Sequence, residues 1–222
     1  MSHPTEYCVV AIDGPAASGK SSVARALAKR LEFAHVNSGA IYRAIAWLVY
    51  ERGAEPANAQ SVMREIESSR FEFGLRNKES FILIDGVNPE THLKDQSVNR
   101  TVSVISSIPE VRTFLLNHLR TYTALDDVVM EGRDIGSTVF PETPYKFYID
   151  ASPDVRAQRR AAQGLDDDLA YRDKIDSSRR ASPLTIAEDA HVIDSSHLTI
   201  DGVVGEIIGR LKIKGLPQAL RL

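Results

Sequence analysis

Apolar residues along the chain follow two alternating patterns: short continuous runs, and longer stretches with an apolar residue at every third or fourth position. Short runs are typical of strands buried on both faces of a parallel sheet, and periodic stretches are typical of amphipathic helices. The predicted strands cover residues 7–12, 33–37, 128–130, 147–149 and 191–194. One predicted helix begins after Lys20. The others cover residues 40–52, 58–69, 109–122 and 200–211. This alternation predicts an α/β fold with a doubly wound parallel sheet.

Two segments depart from the alternation. Residues 71–75 and 81–85 are short apolar runs separated by a polar turn, which predicts a small antiparallel sheet, a hairpin or meander, inserted into the fold. Residues 150–183 carry many charges of both signs and little apolar periodicity. This second segment is either a solvated pair of surface helices or a short mobile lid whose arginines close over phosphates.

The first predicted strand leads into a glycine-rich loop with the spacing GxxxxGK[ST], and a helical pattern follows the loop. Strand, loop and helix in this order are the context of a phosphate-binding loop, in which inward-facing backbone N–H groups bind the anion. Lys20 would reach the β- and γ-phosphates, and the Ser21 hydroxyl would ligate Mg²⁺. The predicted ATP-binding residues are Gly14, Pro15, Ala16, Ala17, Ser18, Gly19, Lys20, Ser21 and Ser22. The alternative is a glycine-rich turn that binds no ligand.

A phosphate loop occurs in kinases, GTPases and switches alike, so the class of reaction depends on other residues. The base-reading Asn-Lys-x-Asp motif of GTPases is not matched, since the nearest string, residues 77–80, lacks its Asp. Ligands of doubly wound sheets lie at the carboxyl ends of the strands, which draws attention to Ser38 and residues 131–134. Arginines near these ends favour phosphoryl transfer, because its transition state spreads negative charge over the migrating group.

Composition narrows the class of protein further. The 222 residues include 27 Lys and Arg against 30 Asp and Glu, a net charge of −3, which argues against nucleic acid or a membrane surface as a partner. The single cysteine, Cys8, cannot form an internal disulfide, and neither a signal sequence nor a membrane span is evident. These features predict a cytoplasmic protein, and nothing in the sequence suggests an obligate dimer.

Four strings resemble the bacterial cytidylate kinases, members of the nucleoside monophosphate kinase family of P-loop proteins. They are Ile-Asp-Gly-Pro-Ala-Ala-Ser-Gly-Lys-Ser from residue 12, Asn-Ser-Gly-Ala-Ile-Tyr-Arg from residue 37, Glu-Gly-Arg-Asp-Ile-Gly from residue 131, and Arg-Asp-x-x-Asp-x-x-Arg from residue 172. The resemblance implies transfer of phosphate from ATP to CMP or dCMP with Mg²⁺. It also implies a single kinase domain over residues 1–222. The core of this domain would cover about residues 6–40, 109–153 and 183–222. The monophosphate-binding region with the insertion would cover about 40–108, and the lid would cover about 154–182.

The resemblance also implies a role for each matching residue. It places Ser38, Arg43 and Arg133 near the acceptor phosphate, Ser103, Arg112 and Asp134 on cytosine, Arg172 and Asp176 on ribose, and Arg179 across the phosphates. The charges that would neutralise the transition state belong to Lys20, Arg133, Arg172 and Arg179, and no side chain need act as a nucleophile.

The chemistry of the base agrees with these roles. A carboxylate such as Asp134 accepts from the N4 amine of cytosine, and an arginine donates to its O2 and N3. The residues also allow structural interpretations. Arg112 could be a solvated charge on an amphipathic helix, Ser103 could bond to its own helix, and Asp134 could pair with Arg133.

The chain departs from the family pattern at three places. Asn37 and Glu131 stand where the family usually has Asp, and residues 151–171 are shorter than the helical hairpin that is usual there. Two other functions remain open at this point: a kinase for another nucleoside monophosphate or small metabolite, and an ATP-dependent switch without an acceptor.

Overall fold

The computed structural model describes residues 7–162, 164, 169–179 and 182–222. Its strands are β1 (Val9–Asp13), β2 (Ala34–Asn37), β3 (Phe71–Arg76), β4 (Glu79–Ile84), β5 (Val128–Gly132), β6 (Tyr145–Asp150) and β7 (His191–Asp194). They form one sheet in the order β3-β4-β2-β5-β1-β6-β7. The predicted α/β fold and the five predicted parallel strands are confirmed, with boundaries displaced by a few residues.

Strand β1 lies inside the sheet, between β5 and β6, and all five of its residues are buried. It pairs in parallel with β5 from Val9↔Val128 to Asp13↔Gly132, and with β6 on its other side. This register brings the carboxyl ends of β1, β5 and β6 to one edge of the sheet. The loops that follow these strands therefore meet there.

The predicted hairpin is present as β3 and β4, paired antiparallel from Phe71↔Ile84 to Arg76↔Glu79. Its two-residue turn, Asn77 and Lys78, has positive φ at both positions, 53° and 64°, as the favoured hairpin turns require. The hairpin does not form a separate sheet as expected, since β4 also pairs in parallel with β2 at His35↔Glu79. It extends one edge of the central sheet.

The helices are α1 (Lys20–Leu31), α2 (Ser38–Glu51), α3 (Ala59–Glu67), α4 (Gln96–Ile105), α5 (Pro109–Thr121), α6 (Pro153–Ala162), α7 (Leu169–Ser178), α8 (Ile200–Ile213) and α9 (Pro217–Leu220). One hydrophobic core joins one face of the sheet to α1 and α8, and another joins the opposite face to α2, α4 and α5. Helices on both faces make the sheet doubly wound.

Helices α6 and α7 occupy the charged segment. In α6 no residue is buried, and in α7 the buried residues are Arg172 and Asp176 rather than apolar side chains. The predicted lid, residues 154–182, extends over 163, 165–168 and 180–181, which lie outside the described residues. Within the part of the chain that is described, no helix is long and apolar enough to cross a membrane.

Candidate active site

A cleft of about 530 Å³ lies at the carboxyl ends of the strands. Most of the predicted ligand-binding residues line it. They are Ala16, Ala17, Ser18, Gly19, Lys20, Ser21, Ser22, Ser38, Arg43, Ser103, Arg112, Arg133, Asp134, Arg172, Asp176 and Arg179. Gly14 and Pro15 belong to the same loop but are not among the lining residues. Residues far apart in sequence thus converge on one cavity.

The phosphate loop packs tightly against β6. Gly14 has a φ of 154°, and a Cβ there would lie 2.1 Å from the Ile149 carbonyl oxygen. Gly19, with a φ of 89°, leads into α1. Residues other than glycine rarely adopt these backbone conformations, so the loop geometry requires both glycines. The loop places several backbone groups at the amino end of α1, where anions are favoured.

Lys20 is buried within the loop, and its Nζ donates to the Pro15 carbonyl at 3.0 Å. Burial, reinforced by the charge of Arg133, lowers the pKa of Lys20 to about 7, although Glu131 acts in the opposite direction. The protein itself therefore supplies too little negative charge to compensate the buried ammonium group. A phosphate ligand would supply that charge.

The same shortage extends to the arginines around Lys20. Burial and the charge of Arg172 lower the pKa of Arg43 to about 10, and Arg133 contributes in the same direction. Arg133 also holds the Asp176 carboxylate, with Nε donating to Oδ2 at 2.8 Å. Although burial alone would raise the pKa of Asp176, the charges of Arg133 and Arg179 lower it below its ordinary value. This concentration of cations suits an anionic ligand with more than one phosphate.

Arg112 and Asp134 form a buried ion pair in the wall of the cleft, where each side chain is 6% exposed. The guanidinium of Arg112 also donates to the Ser106 carbonyl at 3.1 Å and lies over the Tyr42 ring, 5.5 Å from its centroid. Arg112 is consequently not a solvated surface charge, and Asp134 pairs with it rather than with Arg133. Ser103 is buried on the same wall.

Asp13 is a residue that the sequence analysis did not place in the site. Its two carboxylate oxygens accept from the backbone N–H groups of Ile135 and Gly136, each at 2.8 Å. Burial raises the pKa of Asp13 to about 7, and these two hydrogen bonds oppose the rise. Because Asp13 ends β1 and the two donors follow Asp134, this carboxylate fixes the turn that carries the predicted cytosine contact. An acidic residue at the end of a wholly apolar strand was the available signal.

The cleft also extends beyond the predicted residues toward β7. Arg159 of α6 donates to the Ser18 carbonyl at 3.2 Å and to the Ser195 carbonyl at 2.7 Å. The additional lining residues on this side include Ser195, Leu198, Thr199, Ile200 and Val203. They follow the carboxyl end of β7, so the rule that was applied to the earlier strands would have found them.

The two residues that differ from the family pattern, Asn37 and Glu131, have different surroundings. The Asn37 side chain caps α2, with Oδ1 accepting from the Ala40 N–H at 2.9 Å. Glu131 is 2% exposed and lines the cleft, and its Oε1 has no hydrogen-bond partner among the described residues. Glu131 therefore keeps a carboxylate oxygen available at the end of β5.

Known proteins with similar sequences match most of the chain. The sequence profile described as "Cytidylate kinase" matches residues 10–213. A cytidylate kinase of Corynebacterium efficiens is 40% identical over 220 residues, covering 92% of this chain and 94% of the relative. One of Chlamydia felis is 40% identical over 210 residues, covering 90% and 96%, and one of Clostridium tetani is 35% identical over 210 residues, covering 90% and 91%.

Proposed function

The chain belongs to the cytidylate kinase family, and from that membership and the cleft we propose that it transfers the γ-phosphoryl group of ATP to CMP or dCMP. The products are ADP and CDP or dCDP. One observation carries the proposal: a single cleft is lined both by the phosphate loop and by the buried Arg112–Asp134 pair. Such a cleft suits a donor and an acceptor bound at the same time.

The Arg112–Asp134 pair supplies the proposed recognition of the base. An ionised Asp134 accepts hydrogen bonds only, which matches the N4 amine of cytosine and mismatches the O4 carbonyl of uracil. Arg112 supplies donors for the O2 and N3 acceptors. A buried polar site that is left unpaired by the wrong base discriminates strongly, because the unpaired groups have already lost their water.

Phosphoryl transfer at this site needs positioning and charge neutralisation rather than covalent catalysis. An acceptor phosphate oxygen attacks the γ-phosphorus of ATP, and the bond from that phosphorus to the β–γ bridging oxygen breaks. Lys20, Arg133, Arg172 and Arg179 supply positive charge, and Ser38, Arg43 and Asp176 line the acceptor side. The lowered pKa values of Lys20 and Arg43 support this role, since both cations gain from an anionic ligand.

The residues present also fit Mg²⁺. The Ser21 hydroxyl lies in the phosphate loop, and the unpartnered Oε1 of Glu131 is a hard anionic oxygen in the same cleft. Mg²⁺ prefers such oxygens and usually keeps several waters while it binds substrate phosphates. When bound, the ion would neutralise phosphate charge, with Ser21 as its ligand. A monomeric state and a cytoplasmic location stay predictions from the sequence.

The proposal is tested by measuring Mg²⁺-dependent ADP production from ATP with CMP, dCMP, UMP, AMP and GMP offered separately. We expect turnover with the two cytosine nucleotides and little with the others. Equal turnover with UMP would keep a kinase but remove the discriminating role of Asp134. ADP production that is independent of every acceptor would favour a switch or hydrolase instead.

A further inference from the structure

Ser106, which directly follows α4, contacts two arginines of the cleft through different atoms. Its hydroxyl accepts from Nη2 of Arg179 at 2.8 Å, and its carbonyl accepts from Nη1 of Arg112 at 3.1 Å. The hydroxyl proton points to the Ser103 carbonyl at 3.2 Å, which leaves the hydroxyl oxygen free to accept. Ser106 is therefore a hydrogen-bond acceptor for both Arg112, which we propose to contact the base, and Arg179, which directly follows α7.

Burial strengthens the contacts that Ser106 makes with the two arginines. Ser106 is 5% exposed, the Arg112 and Arg179 side chains are 6% and 5% exposed, and all three residues line the cleft. Hydrogen bonds to buried charged groups contribute more to stability than neutral ones. Ser106 also caps the carboxyl end of α4, where the helix dipole favours positive charge.

The contacts form a continuous chain across the cleft. Asp134 pairs with Arg112, Arg112 donates to Ser106, and Ser106 accepts from Arg179. Arg179 and Arg133 then share the two oxygens of Asp176. The Ser106 hydroxyl is the link between the base end of this chain and its phosphate end.

We propose that Ser106 is a positioning residue of the acceptor site, whose hydroxyl fixes Arg179 against the wall that carries Arg112. This inference rests on the proposed function. Without the hydroxyl, Arg179 keeps Asp176 but loses its second anchor, so the acceptor must order that side chain when it binds. Ordering a long side chain on binding weakens affinity. The donor site does not include this contact and is not expected to change.

The experiment compares Ser106→Ala and Ser106→Cys with the wild type. The Cys variant fills the space of the hydroxyl and offers only a weak acceptor, so the cavity left by Ala would be absent from it. Ser107→Ala is the matched control, because the Ser107 hydroxyl donates to the Val104 carbonyl in the last turn of α4 at 2.6 Å. We expect both Ser106 variants to raise KM for CMP about tenfold, with kcat and KM for ATP within about twofold of wild type. Ser107→Ala should leave all three values unchanged.

A double-mutant cycle with Arg179→Ala separates positioning from a general structural effect. If Ser106 acts through Arg179, adding Ser106→Ala to Arg179→Ala should leave KM for CMP unchanged. A full additional rise in that background, or an unchanged KM in both single Ser106 variants, would overturn the inference.

Calorimetric binding of CMP to the same proteins distinguishes this inference from the proposed function. Wild type that binds CMP without phosphorylating it would contradict the proposed reaction, and the Ser106 effect would then be read from the dissociation constant. Wild type that neither binds nor phosphorylates CMP would overturn both.

Discussion

Lys20 is a proposed functional residue whose buried charge lowers the stability of the folded protein. Its ammonium group is buried among arginines, and burial together with Arg133 lowers its pKa to about 7. A lowered lysine pKa means that the folded protein holds the charged form less favourably than the unfolded chain does. The negative charge of Glu131 offsets this cost only in part, and a phosphate ligand would supply the rest.

We expect Lys20→Met to stabilise the ligand-free protein while reducing turnover by orders of magnitude, because it removes both the uncompensated charge and the phosphate contact. The gain in unfolding free energy is on the order of 1 kcal/mol or more at pH 6, where Lys20 is charged in both states. The unfolded chain binds more protons than the folded protein from about pH 7 to the ordinary lysine pKa, so wild-type stability rises there and the difference narrows. Denaturant unfolding at pH 6 and pH 9 checks this, and a less stable variant at pH 6 would contradict it.

Asp134 is the residue on which base selectivity depends in the proposed site. Asp134→Ala should bring kcat/KM for UMP and CMP closer together, because uracil no longer meets a carboxylate at its O4. The same change leaves Arg112 buried without its ion pair, which costs about 3–5 kcal/mol of stability. Asp126→Ala, which removes a carboxylate paired with the exposed Lys78, is the control and should alter neither property. Selectivity that survives in a folded Asp134→Ala variant would assign the base contact to other residues.

Between elements, Asp13 connects the phosphate loop to the acceptor turn. It ends β1, and it fixes the turn after β5 through the N–H groups of Ile135 and Gly136. The two loops therefore do not move independently. A substitution of Asp13 should therefore shift the position of Asp134, although Asp13 does not line the cleft.

We expect Asp13→Asn to raise KM for CMP and to lower kcat, because an amide accepts at one atom where the carboxylate accepts at two. Its stability should also differ in pH dependence. The folded pKa of Asp13, about 7, lies above the ordinary value, so the folded protein binds more protons from about pH 4 to 7 and wild-type stability falls over that range. The Asn variant lacks this contribution. Denaturant unfolding at pH 5 and pH 7.5 should show that the wild type becomes less stable relative to the variant at the higher pH. An unchanged difference in unfolding free energy between the two proteins would contradict the raised pKa of Asp13.

The elements differ in how far the sequence could predict them. The strand, loop and helix around Gly14 to Ser22 were predictable because their signals are local, and the site residues after β2 and β5 followed from the rule of carboxyl ends. The attachment of the hairpin to β2 was not, because it depends on contacts between residues far apart in sequence, such as the pair His35↔Glu79. The roles of Asp13, Ser106 and Arg159 were also missed, since each depends on a contact with a loop distant in sequence.

At the scale of the whole molecule, the charged segment joins the two ends of the cleft. Arg156 of α6 donates to the Ala16 carbonyl at 3.3 Å and pairs with Asp173 of α7. Beyond the end of α7, Arg179 contacts Ser106 on the acceptor wall. The interpretation as a merely solvated helix pair therefore fails for the described residues. The segment contacts both the phosphate loop and Ser106, so on the proposed function its mobility should depend on both substrates.

We expect CMP and a non-hydrolysable ATP analogue together to slow tryptic cleavage after Lys174 in α7 about tenfold or more, because a helix anchored at both ends opens less often. Either ligand alone should slow it much less, since one anchor stays unliganded. Lys174 is exposed, and so is Lys212 on α8, outside the cleft, which serves as the internal control. Equal protection at Lys174 and Lys212 would mean that the ligands stabilise the whole protein, and unchanged cleavage at Lys174 would count against closure. Only selective protection with both ligands supports a lid that closes over donor and acceptor together.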